Sequence, residues 1–326
     1  MHRQLLDLTP SQKRALSLSL FCAGLIYLGL ALAAGKQALT DAARALGVGG
    51  WFLILLCSFG NYVLRFLRWQ YFLRCLGQRL PWLRHFTYYL AGFALTTTPA
   101  KAGETIRSLY LKSHGVRIRH SLASFFCERF LDLLVVTLLA SLALLQFADH
   151  RYFIAATAAV LLGMLAILRS RGLLRLLSRL AGGRQGKLAR LAEHLACLLE
   201  AAQALLRPRP LSAGLLLGLL AWAVQGLAFA FILTQLGQPL PLPQAFSIYA
   251  ISLLAGALSF IPGGIGATEA VMYLLLFRSG VAQEAALVIP IISRVSTLWF
   301  AVALGLLASM YLGLRDSNEA EPERQA

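Results

Sequence analysis

Two short stretches decide the fold that this sequence predicts. They read TTTPAKAGE at residues 96–104 and SFIPGGIGATE at residues 259–269. Each interrupts a long apolar run, has a glycine four residues after the proline, and has a glutamate soon behind that glycine. Because Pro99 and Pro262 lie 163 positions apart, the two breaks occupy matching places in two halves of the chain. Paired broken hydrophobic helices of this kind indicate a binding site near the middle of a membrane.

The composition places the chain in a membrane. Of the 326 residues, 58% are hydrophobic and 13% are charged, and the mean hydropathy is +0.69. A soluble domain of this length is less apolar. Several apolar runs approach or exceed the roughly 20 residues that a helix needs to cross a bilayer. The sequence therefore predicts an all-α polytopic membrane protein, and it lacks the alternating strand pattern of an outer-membrane barrel.

The excess of basic residues indicates the orientation of the chain in a membrane rather than binding of nucleic acid. The formal net charge is +16, but Lys and Arg border the apolar spans instead of forming a soluble basic domain. Lys and Arg in such positions mark cytoplasmic loops. The five cysteines and six histidines have no CxxC or HExxH spacing, and no nucleotide-binding loop is recognisable. We expect no disulfide, no metal, no cofactor and no nucleic-acid partner.

The apolar runs predict about six full spans plus two re-entrant broken-helix hairpins. The first membrane repeat covers residues 1–150, the second covers 151–314, and a polar tail follows at 315–326. A basic amphipathic segment at 169–210 is expected to lie on the cytoplasmic membrane surface. The predicted boundaries are about 15–34, 51 onward, 121–147, 152–168, 211–236 and 285–314 for the spans, 86–111 and 244–277 for the hairpins, and 35–50 for a loop.

Charge asymmetry predicts the orientation. With a cytoplasmic N-terminus and both broken segments re-entrant, 22 of the 30 Lys and Arg residues fall on the cytoplasmic side, in agreement with the positive-inside rule. Because three full spans precede the second half, the two halves are expected to be an inverted repeat, with both chain termini cytoplasmic. Five arginines are expected to act as membrane anchors and topology signals: Arg65, Arg68, Arg74, Arg79 and Arg84.

Arginines inside apolar segments are the most informative single residues. Arg129 and Arg294 follow the prolines of the two breaks by 30 and 32 residues. An arginine in the middle of a span costs roughly 2.5–3.5 kcal/mol on insertion scales, so it is expected to face the interior and to have a partner. We expect Glu104 to pair with Arg129 and Glu269 to pair with Arg294. Such pairs fit two roles: structural clamps on the hairpins, or phosphate-binding arginines beside carboxylates that exchange a proton.

The helix starts predicted behind the two breaks offer backbone N–H groups to an anion. These groups carry partial positive charge that suits a phosphate, and glycines let the backbone approach a ligand. The same glycines also permit tight helix packing. A glutamate at such a start would itself occupy the anion site, which favours a clamp or proton switch for Glu104 and Glu269. Lys101 and Arg107 are expected either to recruit an anionic headgroup or to snorkel to the interface.

The sequence indicates two sets of site residues, and we expect no catalytic or metal-binding residue. The expected substrate-binding residues are Lys101, Gly103, Arg107, Arg129, Gly263, Gly264, Gly266 and Arg294. The expected gating or proton-coupling residues are Glu104, Glu128, Asp132 and Glu269.

The residues around both breaks fit a family pattern. The first half reads P-x-x-x-G-E-x-x-R from Pro99 and later E-R-x-x-D from Glu128, and the second reads P-G-G-x-G-x-x-E from Pro262 with Arg294 behind it. Over about residues 15–312 the chain resembles the membrane domain of the lysylphosphatidylglycerol synthase/flippase family, the flippase-like domain proteins. This resemblance implies lipid translocation by paired re-entrant hairpins. Members of the family are linked to aminoacylated phospholipids, polyprenyl-phosphate-linked sugars and hopanoid-type lipids.

The sequence thus predicts a lipid flippase or transporter that moves an anionic or polyprenyl-phosphate-type lipid between leaflets of the inner membrane. Because 12 residues follow Leu314, we expect the stand-alone form, without the soluble transferase domain of bifunctional members. Two alternatives stay open: a membrane glycosyl- or acyl-transferase that acts on a lipid carrier, and a non-catalytic partner in a lipid-biosynthesis complex. The expected partners are membrane lipids with anionic headgroups, and a homo-oligomer and lipid-biosynthesis enzymes are further open partners.

Overall fold

The structure, a computed structural model, is helical nearly throughout. It describes residues 29, 35–98, 104–142, 151–182, 187–259 and 261–320. These residues contain no strand, which confirms the predicted all-α class. The helices described are α1 Lys36–Cys75, α2 Trp82–Ala91, α3 Arg107–Lys112, α4 Ile118–Ala140, α5 Arg151–Arg169, α6 Arg171–Gly182, α7 Lys187–Leu205, α8 Pro208–Gln235, α9 Leu242–Leu258, α10 Ala267–Arg278, α11 Gln283–Arg294 and α12 Phe300–Ala320.

Three of the described helical segments are long and apolar enough to cross a membrane. They are α1, α8 and the segment Gln283–Leu314, in which a π-helical turn at Val295–Trp299 joins α11 to α12. Shorter apolar helices at Ala155–Arg169 and Leu242–Leu258 accompany them. Large apolar side chains lie exposed on the outer surfaces of these helices, as expected for contact with lipid. The span predicted at 15–34 falls almost wholly outside the described residues.

Two predicted boundaries differ from the structure. The expected loop at 35–50 is largely helical, because α1 begins at Lys36 and runs through a kink at Gly47, whose φ of 59° suits glycine. The basic segment at 169–210 forms two helices. α6 buries no residue, which suits a surface position. α7 instead contacts α4 and buries Ala192 and Ala196, so one face of this helix is covered by protein, while Leu191 and Leu195 are exposed.

The two halves share a turn that the sequence analysis missed. The motif LGQxLP occurs at residues 76–81 and again at 236–241. In each copy a glycine with positive φ, Gly77 (76°) or Gly237 (68°), follows the long helix. The N–H of the next residue then donates to the carbonyl five residues earlier at 2.9 Å, and a proline precedes the next helix, α2 or α9.

A second matched turn precedes α4 and α11. Gly115 and Gly280 have φ values of 79° and 84°. In both turns the valine after the glycine donates its N–H to a carbonyl five residues earlier at 3.1 Å. The path from α2 to α4 therefore has the same local geometry as the path from α9 to α11.

The long helices of the two halves, α1 and α8, pack antiparallel. Gln225 donates a hydrogen bond from Nε2 to Ser58 Oγ at 3.3 Å. Farther along α1, the ring of Phe72 packs against Gly214, where a Cβ would lie 2.7 Å from the ring. Rising residue numbers on α1 thus meet falling numbers on α8.

The break in the second half lies where the sequence predicts it. α9 ends at Leu258, a 3-10 turn covers Pro262–Gly264, and α10 begins at Ala267 with Gly266 as its N-cap. Glu269 lies in the first turn of α10, as the spacing indicates.

The break in the first half begins earlier than predicted. α2 ends at Ala91 and continues as a 3-10 turn through Leu95, whereas the sequence places the helix end at Pro99. Residues 99–103 lie outside the described residues. A second 3-10 turn at 104–106 precedes α3.

Each hairpin packs on the last helix of the opposite half. α2 and its 3-10 turn contact α12, while α9 contacts α4. The closest approach to α12 is at Gly305, where an added Cβ would collide with the backbone of Phe93 and Ala94. Because α9 packs on α4, the charged residues of α4 lie in the interior of the helical bundle.

Candidate functional site

Seven charged side chains meet in the first half of the chain. α1 contributes two arginines, α4 contributes three charged residues within five positions, and the turn at 104–106 and α3 contribute one each. Six of the seven are below 10% exposed, and burial of this kind costs several kcal/mol per ion unless the ions are paired. We call this set the arginine cluster: Arg65, Arg68, Glu104, Arg107, Glu128, Arg129 and Asp132.

Asp132 is fixed by two donors on one of its oxygens. Arg68 donates from Nη2 to Oδ1 at 2.6 Å, and Trp222 donates from Nε1 to the same oxygen at 3.1 Å. The Arg68 side chain is fully buried. It has room because α8 carries Gly218 at the contact, where a Cβ would lie 2.7 Å from Arg68 Nη1. This carboxylate thus ties α1 and α8 to α4.

Glu128, in contrast to Asp132, accepts a hydrogen bond at each of its two oxygens. Arg107 donates from Nη2 to Oε2 at 3.0 Å, and Tyr89 donates its hydroxyl to Oε1 at 2.8 Å. These contacts hold α2 and α3 of the first hairpin against α4.

Arg107 is enclosed by aromatic rings. Its guanidinium carbon lies 3.8 Å from the ring centroid of Trp69, 4.8 Å from that of Tyr89 and 5.3 Å from that of Phe125. Cation–π contacts stabilise a desolvated guanidinium. At 1% exposure, Arg107 does not snorkel to the interface, so this alternative is wrong. Its expected role in headgroup recruitment stays a prediction.

Arg65 and Arg129 have ion-pair neighbours without hydrogen bonds among the described residues. Arg129 Nη2 lies 3.4 Å from Asp132 Oδ2 and 3.5 Å from Glu128 Oε2. Arg65 Nη2 lies 3.5 Å from Asp132 Oδ2. The buried Nε and Nη2 atoms of both arginines have no acceptor in this part of the chain. Since a buried donor without an acceptor is costly, these two guanidinium groups are suited to bind an added anion.

Glu104 faces Arg129, as predicted, but the contact is loose and shared. Its Oε2 lies 3.9 Å from Arg129 Nη2 and 4.0 Å from Arg107 Nη2. Its Oε1 accepts a hydrogen bond from the Thr96 hydroxyl at 2.7 Å, which connects the two arms of the first hairpin.

The cluster has an excess of positive charge. Four arginines face three carboxylates within the described residues, which gives a net charge of +1. His85 does not change this balance, because its Nε2 accepts a hydrogen bond from Trp69 Nε1 at 2.7 Å. An imidazole that accepts a hydrogen bond is neutral.

The second half contains a compact clamp instead. Arg294 donates from Nε to Glu269 Oε1 at 2.9 Å and from Nη2 to the carbonyl of Gly263. The other oxygen of Glu269 accepts the N–H of Gly266 at 2.7 Å. The predicted Glu269–Arg294 contact is therefore confirmed, and the glutamate occupies the N-terminus of α10. We call this group the hairpin clamp: Gly263, Gly266, Glu269 and Arg294.

A tyrosine of α1 contacts the turn that follows Arg294. Tyr62 donates its hydroxyl to the carbonyl of Thr297, which lies in the π-helical turn directly after Arg294. π-helical turns are frequent at functional sites.

The arginine cluster corrects one prediction. Arg65 and Arg68 are buried ion-pair partners of Asp132 and Glu128, so their interpretation as anchors is wrong. Arg74, Arg79 and Arg84 are exposed, as the anchor interpretation requires.

The remaining predicted residues have mixed outcomes. Lys101 and Gly103 lie outside the described residues. Gly264 is buried in the turn before α10, and no ligand contact is assigned to it. The substrate-binding role of Arg294 stays a prediction, and its contacts favour the clamp that the sequence left open.

The two halves share only some of the charged positions of the arginine cluster when they are compared at the spacing of the matched turns at Gly115 and Gly280. Glu104 and Glu269 are 165 positions apart, and so are Arg129 and Arg294. At the same offset, Met272 occupies the place of Arg107. The two carboxylates of α4 also lack a charged counterpart in the second half: Ser293 corresponds to Glu128, and Thr297 to Asp132.

The fold and the site define a polytopic α-helical membrane protein with a buried arginine cluster beside paired helical hairpins. The chain belongs to the family described as the lysylphosphatidylglycerol synthase TM region, whose profile matches residues 15–305. The resemblance inferred from the motifs is therefore confirmed.

Individual relatives agree with this family. Over 294 residues the chain is 27% identical to a UPF0104 membrane protein of Methanothermobacter thermautotrophicus, and this match covers 83% of the chain and 86% of the relative. Two shorter matches are 31% identical over 99 residues to a UPF0104 membrane protein of Pyrococcus horikoshii and 24% identical over 100 residues to one of M. thermautotrophicus. Each of these two spans 30% of the relative's length.

Proposed function

We propose that this protein is a lipid flippase or transporter of the inner membrane, which moves an anionic or polyprenyl-phosphate-type lipid between leaflets. The observation that carries the proposal is the net positive charge of the arginine cluster, four buried arginines against three carboxylates. An uncompensated charge in an apolar interior is costly, and such residues in membrane proteins mark substrate pathways. An anionic headgroup would supply the missing charge and accept hydrogen bonds from Arg65 and Arg129.

The packing of α1 against α8 supports an inverted repeat. Asn61 donates from Nδ2 to the carbonyl of Ala221 at 2.8 Å, and these two residues are equivalent at the 160-residue offset of the matched LGQxLP turns. Equivalent helices that cross antiparallel at equivalent residues are related by a two-fold axis through that crossing. If both helices cross the membrane, this axis lies in the membrane plane, which is the arrangement of inverted-repeat transporters.

The lengths of the hairpin arms support re-entrance. α9 has 17 residues and α10 has 12, which at about 1.5 Å per residue correspond to about 26 Å and 18 Å. Neither arm alone covers a hydrocarbon core of about 30 Å. The arms also contact closely where the Thr268 side chain packs against Gly256. We infer that each hairpin enters and leaves on one side, with both chain termini in the cytoplasm.

The residues of the arginine cluster and of the hairpin clamp have different roles in the proposed transport. Arg65 and Arg129 hold the headgroup, with Arg107 behind them. Glu104, Glu128 and Asp132 retain the arginines when the site is empty. The hairpin clamp of Glu269 and Arg294 keeps the second hairpin closed, and its opening releases the lipid to the other leaflet.

Lipid movement in liposomes tests the proposal. The purified protein is reconstituted with a labelled anionic phospholipid, and both the leaflet position and the chemical identity of the label are followed. Movement without chemical change supports the proposal. A modified lipid would favour the transferase alternative, and neither movement nor modification would favour a non-catalytic partner.

A matched pair of variants assigns any movement to the cluster. Arg65→Gln removes a buried arginine that has no hydrogen bond within the described residues, whereas Arg74→Gln removes an exposed arginine of the same helix. We expect Arg65→Gln to slow lipid movement by about tenfold or more, equivalent to ~1.4 kcal/mol, and Arg74→Gln to leave it unchanged. Equal rates in the two variants would contradict the role of the cluster.

A further inference from the structure

The surface helix α6 has a basic side and an exposed apolar side that the proposed transport does not use. We propose that α6 docks on anionic lipids at the membrane surface where α5 ends and α8 begins, with Leu176 and Leu180 in the lipid interface and its arginines at the phosphates. This proposal goes beyond the surface position predicted for the segment 169–210, because it assigns the contact to α6 and specifies the charge of the lipid. It does not depend on the proposed function.

The side chains of α6 separate into two sides. Arg171, Arg175 and Arg179 recur every four residues, so they share one side of the helix, and all three are exposed. Leu176 and Leu180 are likewise four residues apart, lie on the side opposite Arg171, and are 54% and 56% exposed. A helix with arginines on one side and leucines on the other is suited to lie in the interface of a bilayer.

Protein covers the apolar side of α6 only in part. α6 packs on α7, and Leu173, Leu174 and Leu177 are half-buried. Leu176 and Leu180 stay exposed beside them. Exposed apolar side chains that cluster next to basic ones are typical of a surface that contacts lipid or another protein.

The position of α6 in the chain favours lipid over a soluble partner. α6 follows α5 after a single residue, Ser170, and α5 is apolar up to Arg169. α7 leads into α8, which is long and apolar enough to cross a membrane. Gln203 of α7 donates from Nε2 to the carbonyl groups of Leu168 and Ser170 at 3.0 Å and 3.2 Å. Both ends of the α6–α7 pair are therefore held next to the ends of apolar helices, within reach of the bilayer surface.

The charge of this region favours anionic lipid. Residues 169–192 contain seven Lys and Arg and no Asp or Glu. Where α7 meets α8, a groove is lined by Tyr71 of α1 together with Arg207 and Arg209, so the adjoining surface is basic as well. Basic segments beside membrane helices are attracted to anionic lipids, and the attraction decays within a Debye length of about 8 Å at physiological salt. A zwitterionic surface offers α6 the apolar contact alone.

Two labelled positions on α6 test the docking. Leu180→Cys and Ser178→Cys, at exposed positions on opposite sides of the helix, each carry a fluorophore in a cysteine-free background. The full-length protein is reconstituted in liposomes of phosphatidylcholine, with or without phosphatidylglycerol, and quenchers in the lipid and in the water are compared. With phosphatidylglycerol we expect lipid quenching of the Leu180→Cys label and water quenching of the Ser178→Cys label. We expect 1 M salt to undock α6, since the Debye length falls to about 3 Å.

A variant with fewer charges tests the role of the arginines. The double variant Arg175→Gln, Arg179→Gln keeps the leucines of α6. The matched control, Arg74→Gln, Arg79→Gln, removes two exposed arginines outside α6. In phosphatidylglycerol liposomes we expect the ratio of docked to undocked label to fall by about tenfold in the α6 variant and to stay unchanged in the control. Unfolding curves show that both variants are folded, and α6 buries no residue whose loss would prevent this.

Three results would overturn the proposal. Equal docking in neutral and anionic liposomes would show that lipid charge plays no part. A Leu180→Cys label that stays in water in both would leave the apolar side of α6 to a soluble protein partner. Equal docking of the α6 variant and its control would remove the role of the arginines. Because none of these measurements follows lipid movement, each outcome leaves the proposed function to its own test.

Discussion

Arg129 Nη2 lies 3.4 Å from Asp132 Oδ2 and donates it no hydrogen bond. The other oxygen of the same carboxylate accepts a hydrogen bond from Arg68 at 2.6 Å. Asp132 thus forms a hydrogen-bonded ion pair with Arg68 and an ion pair without a hydrogen bond with Arg129. The hydrogen-bonded pair is suited to hold helices together, and the other pair is suited to be replaced by a contact with a ligand.

Loss of Arg68 is expected to destabilise the protein. Arg68→Met leaves Asp132 buried with one of its charged partners removed, and breaking a buried ion pair of this kind costs about 3–5 kcal/mol. Thermal or denaturant unfolding in detergent measures the effect. Arg74→Met, an exposed position on the same helix, is the control. Equal stability of the two variants would contradict the buried position of Arg68.

Loss of Arg129 is expected to affect transport more than stability. Arg129→Gln removes no hydrogen bond within the described residues, and it removes the most accessible charge of the cluster. We expect folded protein that moves anionic lipid at least about tenfold more slowly, equivalent to ~1.4 kcal/mol. The transport assay and an unfolding curve are measured on the same preparation. Wild-type transport by this variant would refute the role of Arg129.

The hairpin clamp is expected to act as one unit. Single and double variants Glu269→Gln and Arg294→Gln form a double-mutant cycle. We expect a coupling free energy in the range of about 0.5–3 kcal/mol, because the two residues share a buried 2.9 Å contact.

An exposed pair provides the control for this cycle. Asp41 and Arg44 lie 3.9 Å apart with largely exposed side chains, and such pairs contribute little. A coupling no larger at Glu269–Arg294 than at Asp41–Arg44 would show that the buried pair does not stabilise the second hairpin.

The contact between α12 and the first hairpin is expected to be intolerant of side chains. Gly305→Leu forces α12 away from the backbone of Phe93 and Ala94, and overpacking of this kind typically costs about 1–3 kcal/mol. Gly163→Leu is the control, because no heavy atom lies within 4 Å of a Cβ added at Gly163. Comparable unfolding curves for the two variants would contradict the close approach.

The inverted repeat predicts opposite sides for matched turns. Arg79 and Pro239 are equivalent and exposed positions of the two LGQxLP turns. In a cysteine-free background, Arg79→Cys is expected to react with an impermeant reagent from the cytoplasmic side only, and Pro239→Cys from the other side only. Labelling of both positions from one side would exclude an inverted arrangement.

The sequence predicts the features that depend on local chemistry. The break at Pro262, a helix start close behind it and the Glu269–Arg294 contact follow from spacing and from the cost of a buried charge. The 25-residue interval between glutamate and arginine in both halves, and the repeated LGQxLP turn, were also readable signals.

Features that depend on distant partners were not predictable in this way. Arg65 and Arg68 come at the end of an apolar run, where interfacial anchors are also found. Their burial depends on ion pairs with Glu128 and Asp132, about 60 residues later in the chain. A signal existed in helical spacing, because Ser58, Asn61, Arg65, Arg68 and Phe72 recur every three or four residues on one face. The first helix of the first hairpin ends at Ala91, and the 3-10 turn behind it meets Gly305 of α12 at Phe93 and Ala94, a contact that no local pattern indicates.

The lipid that co-purifies with the protein tests the central claim most directly. Native mass spectrometry of the full-length protein, extracted from its membrane in mild detergent, identifies bound lipids by mass. We predict that the unaltered protein and Arg74→Gln retain an anionic lipid, and that the double variant Arg65→Gln, Arg129→Gln loses it. Retention of the same lipid by the folded double variant would contradict an anionic headgroup site in the arginine cluster.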